Sequence, residues 1–217
     1  IKPDAIGKRA YFKLGQSLGY FTENGEISLY KTYPTKSTIS DYYYATYNSQ
    51  AYNTPFYNAD GFLQGTISLS GFPYFVEDRI YVMLPGGNSF AKCKDDGTLD
   101  WKIESITPIT AFASNKNFTA AGYVDGKIAV FENDSGKNHV SFTPGGSDYS
   151  VILGLDISSN GNYIASISGH DQQRFVLAHK EATQTKIIFH DYLQTDTNYR
   201  CLVHFCEESS RVFYVYE

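Results

Sequence analysis

The sequence predicts an all-β fold assembled from repeated four-stranded antiparallel units. Three observations predict it. Short apolar segments alternate with polar or small residues. Asn-Gly, Asp-Gly and Pro-Gly-Gly signals separate them, and the same order of segments returns along the chain. No stretch carries a convincing helical period.

The elements follow in order. Ile109 to Glu132 reads as strand, polar turn at Ser114–Lys116, strand, Asp-Gly turn, strand. Ile152 to Lys180 repeats that order, with a Ser-Ser-Asn-Gly turn and then a second polar turn. Phe112 falls against Ile157 and Phe118 against Tyr163, each 45 residues on, and Ile128 falls against Phe175, 47 residues on. Upstream, Ile80 in Asp78–Val82 stands 48 residues before Ile128, and Ile27 in Asn24–Tyr30 stands 53 residues before Ile80. Downstream, Leu202–Phe205 and Val212–Tyr216 repeat the first two strands. A further strand closes each unit, marked by Trp101, Phe142 and Ile188. Gly and Asn at the turns tolerate the positive φ that tight hairpins need. The repeat predicts units at about 10–45, 56–104, 105–144 and 150–192, with a partial one at 198–217. Four strands in about 40–50 residues is the signature of a β-propeller blade, so the expected fold is a single propeller domain with four to five blades visible.

Particular segments strengthen this. Leu155-Asp156-Ile157-Ser158-Ser159-Asn160-Gly161-Asn162-Tyr163-Ile164-Ala165-Ser166 resembles the first hairpin of a WD-repeat blade, and Gly122 to Phe131 resembles the second, with Phe131 where the Trp commonly stands. Ser89 to Trp101 is similar to a quinoprotein-type blade, its turn glycine followed by Trp. The Trp-Asp pair and the full His-Asp-Ser/Thr-Trp tetrad are absent. The resemblance therefore implies the propeller fold and no subfamily, and it implies no quinone site. In WD-repeat proteins the commonest role is assembly scaffolding.

Composition bounds the rest. With 217 residues, 42% of them apolar and 16% aromatic, the chain has surface enough for a real core. A chain of this size buries roughly 70% of its unfolded surface, which excludes disorder as its main state. No run of 18 or more apolar residues is present. The net charge is −5 without a basic block, so no nucleic-acid partner is expected. Low charge and abundant Ser, Thr, Asn and Tyr favour a location outside the cytoplasm. The chain opens Ile1-Lys2-Pro3 without Met, and its last unit stops after two strands. We therefore expect the remaining strands to lie in a longer chain or in another subunit, as in one section of a larger assembly.

Candidate functional residues were weighed against structural roles. Asp41 to Tyr57 is tyrosine-rich and reads either as a packed connector or outer strand, or as a loop on one face with Tyr42, Tyr43, Tyr44, Tyr47, Tyr52, Phe56 and Tyr57 contacting a protein partner. Tyrosine supplies large contact area at low entropic cost and keeps a polar tip. The Gly-rich stretches at Pro85–Ser89 and Pro144–Asp148 lack the helix a phosphate cradle needs, and read as turns. Asp95, Asp96 and Asp100 lack the spacing of a calcium loop. Cys93, Cys201 and Cys206 match neither a disulfide framework nor a zinc spacing, and read as buried thiols. Asn117-Phe118-Thr119 and Asn133-Asp134-Ser135 match the glycosylation sequon. His170-Asp171 and His190-Asp191 do not share a position in the repeat. No catalytic, metal or cofactor site is predicted. The leading function is a non-catalytic protein-binding scaffold. The alternative is a ligand-binding or hydrolytic propeller, which would need Asp125, Asp156, His170 and Asp171 to converge.

Overall fold

The computed structural model describes residues 9–48, 51–145, 148–182, 184–194, 197, 199–207 and 210–215. They divide into two compact units between Glu104 and Ser105. All sheets are antiparallel and every strand pairs with its neighbour in sequence. Among the described residues there is no α-helix.

The first unit holds three sheets. β1 (Arg9–Leu14), β2 (Ser17–Thr22) and β3 (Ile27–Thr32) form a three-stranded sheet. β4 (Lys36–Ile39), β5 (Tyr43–Tyr47), β6 (Thr54–Asn58) and β7 (Leu63–Ile67) form the second. β8 (Phe72–Val76), β9 (Arg79–Met83), β10 (Phe90–Cys93) and β11 (Leu99–Ile103) form the third. The second unit holds β12 (Ile109–Ser114) to β15 (Asn138–Phe142), through β13 (Phe118–Tyr123) and β14 (Ile128–Glu132). Next come β16 (Ile152–Ile157), β17 (Tyr163–Ser168), β18 (Arg174–Lys180) and β19 (Thr185–Tyr192), then the hairpin of β20 (Leu202–Cys206) and β21 (Arg211–Val215).

The unit boundaries read from the sequence need one correction. Residues 10–45 and 56–104 are not two repeats, because three sheets occupy this stretch. Ile27 lies on an outermost strand and Ile80 on the second strand of its sheet, so matching them aligned unlike strands. In the second unit, β12–β15 and β16–β19 lie within 105–144 and 150–192.

The pairing register supplies a better marker of the repeat. Wherever the last strand of one of the five larger sheets, which forms its outer edge, pairs with its neighbour, one extra residue is pushed out of the ladder. These residues are Ser28, Gln64, Asp100, His139 and Ile188. Such bulges are common at sheet edges, where they bend the bulged strand and increase its local twist.

The two units build their cores differently. In the first, Tyr43, Phe56 and Phe75 pack ring against ring with centroids 5.5 to 6.0 Å apart, joining the β4–β7 and β8–β11 sheets. In the second, Ile128, Ile152, Ile157 and Ile164 interleave with Ala111 and Ala120. The turn before β17 shows how closely these sheets approach. Gly161 has φ of 72°, and a Cβ there would lie 2.5 Å from the Phe118 ring of the adjacent sheet. Only glycine satisfies both conditions.

In each four-stranded sheet, the first and third turns lie at one end. The second turn and the connection to the next sheet lie at the other, here termed the connection end. This division sorts the candidate residues.

Candidate interaction surface

The tyrosine-rich segment is not a loop. It is carried largely by β5, which holds Tyr43, Tyr44 and Tyr47, and β6, which holds Phe56 and Tyr57. Tyr43 and Tyr44 are 3% and 2% exposed and Phe56 is fully buried, which removes these three as contact residues in the folded chain. Burial pushes the Tyr43 hydroxyl up to about 12. Tyr57 is half-buried and stacks on Tyr44 at 5.3 Å, and Tyr47 is half-buried. Only Tyr42 and Tyr52 are exposed, and they sit at opposite ends of their sheet. The segment therefore does not present one contiguous tyrosine surface.

The sequence did not single out the aromatic residues at the connection end of the second unit. Their framework is a buried glutamine. The Gln173 side chain donates to the Thr197 carbonyl at 2.5 Å and accepts from the Thr197 N–H at 2.7 Å, while the Leu193 N–H bonds the Gln173 carbonyl at 2.8 Å. These bonds pin the connection after β19 to the turn between β17 and β18. The connection before β16 is held to the same turn, since the Gly169 and His170 N–H groups donate to the Val151 and Tyr149 carbonyls. The Arg174 guanidinium adds bonds to the carbonyls of Pro144 and Gly145.

On this framework the exposed side chains include aromatic and amide-bearing ones beside the charged Asp148, Asp171 and Arg200. Tyr149 is 67% exposed and meets the His170 ring edge-on at 6.4 Å. Tyr199 is 80% exposed. Gln172, Tyr192, Leu193 and Gln194 line a shallow cleft of about 500 Å³. Among the described residues the cleft lining carries no formal charge. Aromatic faces with polar tips and planar amides suit recognition of another macromolecule, since they combine apolar area with hydrogen-bonding capacity.

The polar residues considered for chemistry are spread through structural roles. Asp96 accepts from the Thr98 N–H and hydroxyl, and Asp100 pairs with Lys92 at 2.8 Å. Asp125 caps its turn through the Lys127 N–H. Asp156 reaches between sheets, accepting from the Phe205 N–H at 2.8 Å with His204 Nδ1 at 3.5 Å. Burial holds its carboxyl above the usual carboxylate range, opposed by the N–H groups of Phe205 and Ile157. Among the described residues no three His, Cys, Asp or Glu side chains are arranged to hold a metal ion. Cys93 and Cys201 are buried, and burial pushes the Cys93 thiol up to about 11. Cys206 is half-buried. Both sequon asparagines are engaged in the folded chain. Asn133 is buried and donates to the Asn115 and Lys116 carbonyls, and Asn117 donates to the Ser159 carbonyl at 2.9 Å. Part of the Pro144–Asp148 turn lies outside the described residues.

Comparison with known proteins agrees with this architecture. A family model described as a β-propeller protein matches residues 2–217. A protein of Treponema pallidum (strain Nichols), itself described as uncharacterized, is 30% identical over 214 residues, covering 99% of this chain and 56% of the relative. The chain thus spans little more than half the length of that relative. Among solved structures, Hsv2p of Kluyveromyces lactis superposes with a TM-score of 0.67 at 13% identity, over 92% of this chain and 70% of its own. BamB from Moraxella catarrhalis superposes with a TM-score of 0.56 at 13% identity, over 85% and 61%. At such identities the likeness concerns the fold.

Proposed function

This chain belongs to the β-propeller family, and on that footing we propose that it is a non-catalytic scaffold whose connection ends hold another protein. The observation that carries this reading is the exposure of Tyr149 and Tyr199 on connections pinned to the β17–β18 turn, the first through the Gly169 and His170 N–H groups and the second through the buried Gln173. Exposed aromatic residues on a pre-ordered backbone lose little entropy on binding, which is what makes tyrosine effective at interfaces. The surface members of the tyrosine-rich segment, Tyr42 and Tyr52, are proposed as secondary contacts. The alternative, a ligand-binding or hydrolytic propeller, has less support. Asp125 and Asp156 are committed to separate structural hydrogen bonds rather than to a shared point.

The test replaces Tyr149 and Tyr199 with Ser in the full-length protein. Recovery of co-purifying proteins, quantified by mass spectrometry against wild type, is expected to fall for a specific partner by about tenfold or more, with the melting temperature unchanged. A parallel Tyr42→Ser/Tyr52→Ser variant is expected to lower it less. Unchanged recovery in both variants would refute the reading.

A further inference from the structure

The outermost strands of the five larger sheets are not equivalent. β3, β7, β11 and β15 have five or six residues, whereas β19 has eight. Its bulge at Ile188 leaves a three-residue arm before it and a four-residue arm after it. Nearly the whole strand is exposed, including Ile187, Ile188, Phe189 and Tyr192, and among the described strands it pairs only with β18. An exposed edge of this length with an apolar centre is a template for another strand.

The register on β18 shows which strand fits. Lys186, Phe189 and Asp191 pair with His179, Leu177 and Phe175, alternate residues of β18, so all three share one face. Thr185, Ile187, His190 and Tyr192 share the other. With Ile188 out of the ladder, seven positions remain and Phe189 is the middle one. A second copy of β19, antiparallel and centred on Phe189, sets Phe189 against Phe189 and Ile187 against His190. It also sets Lys186 against Asp191 twice, on the face that carries Phe189. A two-fold axis through a directly opposed pair is a symmetry that an antiparallel ladder permits. The extra residue at Ile188 is what brings the opposite charges into line. Among the outer strands, only β11 and β19 carry both charge signs; in β11 the acid, Asp100, is the bulged residue and pairs with Lys92 on β10. Among the described residues Lys186 and Asp191 form no ion pair within the chain.

We infer that β19 is a self-association edge, through which two copies of this protein join by antiparallel pairing of Thr185–Tyr192. The contact extends the β16–β19 sheet into an eight-stranded sheet across the dyad. It does not rest on the partner reading above: Tyr149 and Tyr199 are not in it, and Tyr192 is the one named residue the two surfaces share.

Sedimentation equilibrium of the full-length protein tests this, with circular dichroism as the folding control. Wild type is expected to populate a dimer. Lys186→Glu alone and Asp191→Lys alone each place like charges opposite one another twice, and should weaken the dimer by about tenfold. The double variant exchanges the charges and should restore it. Phe189→Cys should form an intermolecular disulfide under mild oxidation, because directly opposed strand residues lie within disulfide range. A wild-type protein that stays monomeric at all concentrations would overturn the inference. So would a dimer indifferent to the single reversals, or a double variant as weak as the singles.

Discussion

The two units share a strand plan and differ in what fills and fastens it. The first is packed with rings: Tyr20 and Tyr44 in one cluster, Tyr43, Phe56 and Phe75 in the next. Its bulged residues Ser28, Gln64 and Asp100 recur every 36 residues. The second is packed with Ile and Ala and fastened by side-chain bonds from turn to turn. Asn115 donates to the Ile157 and Ser158 carbonyls, Asn117 donates to the Ser159 carbonyl, and Glu207 accepts from the Ser159 N–H. One large ring fills the space between sheets that several aliphatic side chains would otherwise fill, so the first unit manages with shorter repeats. Smaller side chains let backbones approach closely, and turns in the second unit come near enough to be tied by asparagine. The same plan thus rests on ring volume in the first unit, where Ser40 and Thr38 also bond the Glu77 carbonyl and the Phe75 N–H of the next sheet, and on aliphatic packing with asparagine fastening in the second.

The largest expected effect lies in the ring cluster. Phe56 is fully buried and touches the rings of both Tyr43 and Phe75. Phe56→Ala should cost about 3–5 kcal/mol, because flat rigid rings collapse poorly into a void. Trp101, the single tryptophan, lies in the same unit and reports its unfolding by fluorescence during a urea titration. The matched change in the second unit, Ile164→Ala, should cost less, read by circular dichroism. An equal or greater loss at Ile164 would mean that ring packing is not what distinguishes the units.

A smaller effect tests the polar fastening. Asn133 accepts from the Thr119 hydroxyl at 2.5 Å and donates to the Asn115 and Lys116 carbonyls, holding the turn from which Asn115 reaches the next sheet. Asn133→Ala leaves the buried Thr119 hydroxyl with one partner fewer and should cost about 1–3 kcal/mol. Asn133→Asp keeps an acceptor toward Thr119 but turns a buried carboxylate oxygen toward the Asn115 and Lys116 carbonyls, and should cost at least as much as Ala. A loss at Asn133 below about 0.5 kcal/mol would show the network to be incidental.

The same contrast explains what the sequence made legible. In the second unit, alternation around Ile157, Tyr163 and Ile164 and the Asp125-Gly126 and Asn160-Gly161 turns all agree, so strands and register could be read directly. In the first, Tyr43-Tyr44-Ala45 is buried without a break, and tyrosine is as common on surfaces as inside. The segment therefore resembles a recognition loop in sequence, and the 36-residue spacing is masked by the longer one of the second unit. The surface around Tyr149 and Tyr199 left no pattern, because exposed tyrosines in connections follow no period. The alignment of Lys186 with Asp191 was also hidden. It depends on a bulge, which exists only once β18 and β19 are paired.

The smallest predicted effect has the opposite sign. Tyr20 is fully buried among Leu18, Tyr33, Ile39 and Tyr44, and its hydroxyl has no hydrogen-bond partner among the described residues. Burial, the largest cause, holds that hydroxyl far above its ordinary range, with the neighbouring Tyr44 adding to it. A desolvated donor without a partner costs free energy, whereas the ring around it contributes packing. Tyr20→Phe keeps the ring and removes the unsatisfied group, so it should be neutral or stabilise the first unit by up to about 1 kcal/mol. Tyr44→Phe is the matched control in the same cluster. If rings fill volume in this unit and their polar tips are tolerated rather than used, the urea midpoint of Tyr20→Phe, followed through Trp101, stays level or rises. A fall of 1 kcal/mol or more would show that the hydroxyl is satisfied in solution, and that the first unit depends on polar fastening as the second does.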